Sequence, residues 1–427
     1  MFAHITHIVY LALALIIALP FMAQGENTRP NVVLIISDDH GFNDYGFMGG
    51  DQIRTPHIDR MASQALLYTR GYATPVCSPS LGTLLTGLYP HQHGITGNDI
   101  KGDARNREPL TERLLANRFI LPKALSEAGY LTMQTGKLWN MSYQQAGFTD
   151  GMTGPESRHG GAGLDIGRKG MKPIFDFIDK ASAAKKPFFV WYAPFLPHDP
   201  HNPPERLLKK YQGKGPTPAA EKYYAMVEWL DETCGELDEY LDGKGLTKNT
   251  LIIYLADNGW DAARGYKDNR AKLSPYENGI RTPIFARWPG KIDAQRDDET
   301  LASIIDIVPT LLSATGIKAP ADLPGLDLAD RDAMRARKTL FVQSYTHDVA
   351  EISHPEKSLM ASVVIDGWHK LILPGPAAPD KPHASTPETA ELYDLKTDPL
   401  EKTNLANEEP AEVARLQALQ DAFWKID

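Results

Sequence analysis

Asp38 and Asp39 are adjacent carboxylates, Asp257 and Asn258 an adjacent carboxylate and amide, and each pair directly follows an apolar run. Carboxylates and side-chain amides are hard oxygen donors, which suit Ca²⁺ or Mg²⁺ rather than zinc. A single Asp at a strand end more often caps a helix or makes an Asx turn. Two acids at one strand end and Asp-Asn at another point together to a cation. Lys137, Lys272 and Arg281 are candidate anion-binding groups, although each alone would more often be a solvated surface charge. His198, between Pro197 and Asp199-Pro200, is a candidate proton carrier. Cys77 lies in Thr74-Pro75-Val76-Cys77-Ser78-Pro79-Ser80-Leu81, a turn ahead of a helix-compatible run closed by Thr86-Gly87. The unpaired N–H groups and partial positive charge of a helix start favour a thiolate, or an anion bound beside it. A metal, cations and a nucleophile suggest hydrolysis of an anionic ester.

These residues need a scaffold that delivers strand ends to one edge. Asn31 to Ile36, Pro187 to Ala193 and Thr250 to Ala256 are short apolar runs without polar alternation, as expected of strands buried on both faces. Tyr130 to Thr135 predicts a further strand leading into Gly136-Lys137. Helical patterns fall at Thr55 to Ala62, Leu121 to Gly129, Pro173 to Ala184 and about 219 to 242. Strands alternating with helices predict an α/β fold with a large, mostly parallel sheet, whose carboxyl edge is where ligands bind. Residues 149 to 170 read as irregular loop. Beyond about residue 335 short β-like pieces (Leu340 to Gln343, Trp368 to Leu373), a Pro-rich loop and a helix at about 409 to 425 predict a smaller α+β unit with a short antiparallel sheet. The organisation expected is therefore a leader over 1–25, a catalytic α/β domain over 26–335 and a C-terminal subdomain over 336–427.

The leader is Ile8 to Leu19, an apolar run of twelve residues, followed by Pro20 and by the small residues Ala23 and Gly25. It fits a signal peptide better than a membrane span of about 20 residues, with an uncleaved anchor as the other reading. Export to the periplasm or the exterior follows, with no stable membrane span. The 427-residue chain is 42% hydrophobic and 23% charged, and its net charge of -9 without a basic stripe argues against nucleic-acid binding. Its two cysteines, Cys77 and Cys234, could pair in an oxidising compartment. Cys234 falls at helical spacing among the apolar residues of Val227 to Leu237, the pattern of a small core residue.

Taken in order, these segments resemble the type I sulfatase family of the alkaline-phosphatase-like superfamily. Arg29 to Asp39 resembles its first metal-binding strand, and Cys77-Ser78-Pro79-Ser80 with Leu84 to Pro90 its signature segment. Gly129-Tyr130 through Gly136-Lys137 resembles the second signature. Pro197-His198, Ala256 to Gly259, Lys272 and Tyr276 to Pro283 follow, then Glu391 to Leu395, Asp398-Pro399, Glu401 and Asn404-Leu405. The resemblance implies that a formylglycine-generating enzyme oxidises Cys77 to formylglycine, whose hydrated aldehyde attacks sulfur. It implies Ca²⁺ held by Asp38, Asp39, Asp257 and Asn258 with residue 77, and sulfate held by Lys137 and Lys272, with His198 and Arg281 also facing substrate. His198 and Lys272 would serve the leaving oxygen. The implied substrate is a sulfated carbohydrate or similar sulfate ester.

Two positions depart from the family. Leu81 stands where the signature has an arginine that aids conversion of the cysteine and supports the nucleophile. Asn140 stands where the second signature has a histidine, and an amide is no base near neutral pH. His91, His93, His159 and His201 are the candidate substitutes. A glycan-binding pseudoenzyme and a phosphodiester or phosphonate hydrolase are the rival readings. The sugar and the sulfated position depend on loops such as 98–118, 144–170 and 260–272.

Overall fold

A computed structural model describes residues 29–103, 106–116, 119–138, 141–154, 161–262, 270–378 and 386–426. The proposed leader, Asn140 and His159 lie outside them. Fourteen strands occur in the described residues, nine of them before residue 304: β1 (Asn31–Ser37), β2 (Leu66–Tyr72), β3 (Asp99–Ile100), β4 (Leu131–Gly136), β5 (Asp150–Gly151), β6 (Phe188–Ala193), β7 (Thr250–Ala256), β8 (Arg281–Arg287) and β9 (Gln295–Ser303). The others are β10 (Thr339–Tyr345), β11 (Asp348–Val349), β12 (Leu359–Asp366), β13 (His369–Pro374) and β14 (Glu391–Asp394).

The large sheet has eight strands in the order β5-β4-β6-β1-β7-β8-β2-β9. It is parallel except where β8 runs antiparallel to both β7 and β2. The unbroken apolar runs are explained by what they meet. Val32, Leu34, Ile36, Trp191, Ile253 and Leu255 enter one core layer, while Val33, Ile35, Val190, Tyr192, Ile252 and Tyr254 enter the other. Alternate residues of one strand thus fill opposite cores, so no face is left for polar side chains. Helices Pro56–Ser63, Lys172–Ala183 and Pro218–Gly243 supply the second layer, where Cys234 is fully buried as a free thiol.

The smaller sheet is antiparallel, in the order β10-β12-β13-β14, and helix Pro410–Phe423 packs on it. A buried ion cluster fastens this sheet to the turn before β8. Lys370 Nζ lies 3.0 Å from Glu277 and 2.7 Å from Glu401, and the Glu277 N–H donates to Glu401 at 2.7 Å. Two strands escape the main sheets: β3 and β11 form a separate parallel pair. That pair joins the Cys77 neighbourhood to the C-terminal part of the chain.

Candidate active site

Registration of the central strands assembles the site. Ser37 pairs with Ala256 at the ends of β1 and β7, and the Asp257 N–H donates to Ser37 O at 2.9 Å. Asp38, Asp39, Asp257 and Asn258 therefore emerge side by side, each 2% exposed or less. Asp39 turns out of the strand at φ 59°, a left-handed conformation that Asp tolerates better than most residues. Its N–H then reaches Asp257 Oδ1 at 3.2 Å, and Asn258 Nδ2 donates to Asp39 Oδ1 at 2.8 Å.

On the other side β4 pairs with β6 to Gly136 and Ala193. Gly136 has φ 74°, and a Cβ there would fall 1.7 Å from Ala193 O, so only glycine lets the chain turn at this point. The turn aims Lys137 inward, with Nζ 2.8 Å from Asp38 Oδ1 and 2.6 Å from Oδ2. Lys272 Nζ lies 2.5 Å from Asp39 Oδ1. His198 stacks on Phe195 at 4.3 Å, directs Nδ1 at the Asp199 carbonyl at 2.6 Å and presents Nε2 3.4 Å from Asp39 Oδ2. Arg168 holds this loop through the carbonyls of Phe195 and His198, at 2.6 and 3.2 Å. No sequence motif announced Arg168; its place in a Gly-rich stretch hid it.

The electrostatics follow from burial. Burial alone would raise the Asp39 carboxyl, but Lys272, His198 and Lys137 hold it well below the usual range. Asp257 goes the other way, pushed well up by burial and by repulsion from Asp38. Burial lowers Lys137, and Asp38 more than restores it, so its ammonium is strongly retained. Three buried carboxyl groups thus face two lysines, and the raised Asp257 is the one that resists carrying a third negative charge. Asn258 Oδ1 is buried with no hydrogen-bond partner among the described residues, a costly arrangement unless a cation takes the lone pair. Asp38, Asp39, Asp257 and Asn258 offer oxygen donors, which fit Ca²⁺ or Mg²⁺, and the His198 nitrogen stands at the edge of the same group.

Cys77 opens the helix Cys77–Thr86 as its first residue. The helix begins earlier than the prolines suggested, because Pro79 sits in the first turn, where an N–H has no intrahelical partner to lose. Thr74 and Ser80 fix the entry, their hydroxyls 2.5 Å apart, and Ser80 Oγ donates to Asp257 O at 2.5 Å. The Cys77 segment is thereby tied to the end of β7. The expected thiolate is not what the structure favours: burial pushes the Cys77 thiol up, against the pull of Lys137 and Lys272. As a thiol, Cys77 is poorly prepared to attack anything.

The comparisons with known proteins decide the family. A model described as Sulfatase matches residues 30–317, and one described as N-sulphoglucosamine sulphohydrolase, C-terminal, matches residues 264–425. The chain belongs to the sulfatase family. Its members are sulfuric ester hydrolases, and this one is 29% identical to rat N-acetylgalactosamine-6-sulfatase over 74% of its own length and 68% of the relative's. It is 27% identical to an N-acetylgalactosamine-6-O-sulfatase of Bacteroides thetaiotaomicron, covering 93% and 94%, and 28% identical to human arylsulfatase A, covering 93% and 88%. A solved structure described as Ps i-CgsB shares the fold with a TM-score of 0.75 at 22% identity, over 93% of this chain and 94% of that one.

Within this sulfatase the predicted residues separate into two groups. Cys77, Lys137, His198, Lys272 and the Asp38, Asp39, Asp257 and Asn258 quartet converge. Arg281 makes its polar contacts elsewhere, donating to Thr69 O at 3.0 Å and pairing with Glu277 at 3.7 Å over the Phe42 ring. Of the candidate substitute histidines, His91 stacks on Trp424 at 4.4 Å, and His93 lies behind the Cys77 helix against Thr83. His201 lies against Tyr223 and Trp260. None of the three is the histidine that reaches Cys77; His347 does so through Asn98, which sequence reasoning missed.

Leu81 is 1% exposed in the same core layer as Leu84, Leu85, Ile95 and Leu110. Its pocket is apolar, so an arginine here buries a charge among hydrocarbon. Leu81→Arg is expected to lower the thermal midpoint by several degrees, while Leu81→Met leaves it nearly unchanged. Scanning calorimetry checks both; an arginine variant as stable as the parent would mean that this side of the helix can open to water.

Proposed function

We propose that this sulfatase hydrolyses the sulfate ester of a sulfated carbohydrate, using residue 77 as nucleophile after conversion of Cys77 to formylglycine, beside a bound Ca²⁺. The observation that carries the reading is the convergence of a helix-initial cysteine, two inward lysines and the Asp38, Asp39 and His198 cluster on one sheet edge. Relatives that act on N-acetylgalactosamine 6-sulfate at 27–29% identity support a sulfated sugar. The same reading carries export to the periplasm or the exterior, where such glycans are met, and maturation by a formylglycine-generating enzyme.

Asp38, Asp39, Asp257 and Asn258 would hold the ion, which supplies Lewis-acid stabilisation of the sulfate oxygens. Formylglycine at residue 77 would supply a hydrated aldehyde, whose two hydroxyls serve nucleophilic attack and release of sulfate. The remaining chemistry belongs to the chain's own side chains. Lys137 and Lys272 offer ammonium groups that can move from the carboxylates to sulfate oxygens and hold them against the developing charge. His198, with Nδ1 directed at the Asp199 carbonyl, presents Nε2 beside Asp39, from where it can give a proton to the departing sugar oxygen. The N–H groups of the Cys77 helix add positive potential at the sulfur.

Two observations favour a different reading. The raised Cys77 thiol and the apolar Leu81 describe a site that would bind sulfated glycans without turnover if Cys77 stays unconverted. Mass spectrometry of the Cys77 peptide, from a host competent in the conversion, separates them: an aldehyde is expected, and intact cysteine sinks the enzyme reading. Aryl sulfate but not aryl phosphate should be hydrolysed, with loss of turnover in chelator and recovery with Ca²⁺. Preference for the phosphate ester would overturn the substrate class.

A further inference from the structure

The pair β3 and β11 has one evident effect, which is to place His347 next to Asn98. The two residues lie 249 positions apart, yet the Asn98 N–H donates to His347 O at 2.7 Å, and Asp99-Ile100 pairs with Asp348-Val349. A Cβ on Gly97 would fall 2.8 Å from His347 O and 3.0 Å from Val349 N, so glycine is needed for this approach. Arg107 anchors the same ribbon by pairing with Asp99 at 2.6 Å.

The side chains form a directed chain of hydrogen bonds. Asp348 Oδ1 lies 2.6 Å from His347 Nδ1, and a carboxylate only accepts, so Nδ1 carries the hydrogen. His347 Nε2 is then an acceptor, 3.3 Å from Asn98 Nδ2. That leaves Asn98 Oδ1 facing the nucleophile segment, where it accepts from the Ser78 N–H at 3.3 Å and from Cys77 Sγ at 3.5 Å. Asn98 is 4% exposed, so its amide cannot fall back on bulk water. Leu81, four residues along the helix, offers residue 77 no polar group, since its side chain lies in the apolar core.

We propose that His347, oriented by Asp348, is a positioning residue of the nucleophile: it holds the Asn98 amide with its carbonyl oxygen toward residue 77. This rests on the sulfatase reading of the site and adds a residue from the C-terminal part of the chain to it. An acceptor at that point fixes the hydroxyl or thiol hydrogen of residue 77 and so sets which lone pair faces sulfur. A reversed amide would set its NH₂ against the Ser78 N–H and remove that acceptor. Gln at 347 can preserve the arrangement, because its Oε1 can accept from Asn98; Ala cannot.

The test uses the whole enzyme as wild type, His347→Ala and His347→Gln, with 4-methylumbelliferyl sulfate as the probe. His347→Ala is expected to lower kcat about 10- to 100-fold with KM within about twofold, and His347→Gln to recover most of it. Unchanged kcat in the alanine variant, or a glutamine variant no better than alanine, overturns the proposal. A second readout does not depend on turnover. In protein from a host lacking the converting enzyme, iodoacetamide labelling of Cys77 is followed by mass spectrometry of its peptide. Labelling should be faster in His347→Ala, where the Asn98 NH₂ loses the acceptor that orients it and the carbonyl is held less firmly toward sulfur, and unchanged in His347→Gln. Equal rates in all three overturn the proposal even if the wild type proves inactive on every sulfate ester, a result that would by itself defeat only the sulfatase reading. If His347→Ala does not fold, Asp348→Ala, which removes the acceptor for Nδ1, takes its place with the same two outcomes, since Asp348 is 42% exposed and little packing is lost.

Discussion

Cys77→Ala is expected to lower turnover by about 10⁴-fold or more, with the fold and the binding of sulfated ligand retained, if residue 77 is the nucleophile we propose. Cys77 shares a small satellite cluster with Val76 and Leu273, so truncating its sulfur is expected to leave little void. Lys137 and Lys272 keep their places, because their partners are Asp38 and Asp39 rather than the cysteine. The variant therefore becomes a binder. Two measurements check it: kcat on an aryl sulfate, and calorimetric titration with a sulfated monosaccharide. Retained turnover would move the nucleophile away from residue 77, and lost binding would mean that Cys77 also organises the lysines.

Asp257→Ala should act through the metal instead, lowering Ca²⁺ affinity and turnover together by about 100-fold or more. Asp257 is buried against Asp38, and its carboxyl is pushed up by burial and by that repulsion. The folded acid therefore holds its proton to higher pH than a free aspartate, and cation binding must release it. The sign follows: Ca²⁺ affinity of the wild type rises as pH climbs above the ordinary carboxylate range, and the alanine variant has a flatter dependence. The structural sign is opposite, because a raised acid contributes stability at low pH that fades as pH rises through its folded value. Without Ca²⁺ the wild type should lose stability on that rise, and with Ca²⁺ it should not. Calorimetric titration across pH, with and without the substitution, measures both; unchanged Ca²⁺ binding in Asp257→Ala would remove it from the ligand set.

Much of the site could be read from sequence because its parts are strand ends. A run such as Val32 to Ile36 must be buried on both faces, so Asp38-Asp39 must emerge at an edge, and the same holds for Asp257-Asn258. Lys137 and His198 follow from β4 and β6 by the same logic. The antiparallel insertion of β8 between β7 and β2 was not legible, since an apolar strand carries no mark of direction. The thiolate expected at Cys77 failed because a helix start offers only partial charge, while burial removes the whole hydration of the anion. Asn98 and His347 were invisible for another reason. Each sits beside a two-residue strand, too short for any periodicity, and their meeting depends on a tertiary contact across most of the chain.

The fastening of the Cys77 segment sets a clock on biosynthesis. Cys77 is 1% exposed, Pro75 O accepts from the Leu273 N–H, and Ser80 is bonded to Asp257 O. Those partners are synthesised nearly two hundred residues after the cysteine. Any enzyme that modifies Cys77 must therefore reach it while the later strands are still missing or undocked. The yield of active protein becomes a race between modification and folding. Slowing folding, by lower temperature or by a substitution that weakens the Ser80 bond, should raise the modified fraction even as it costs stability.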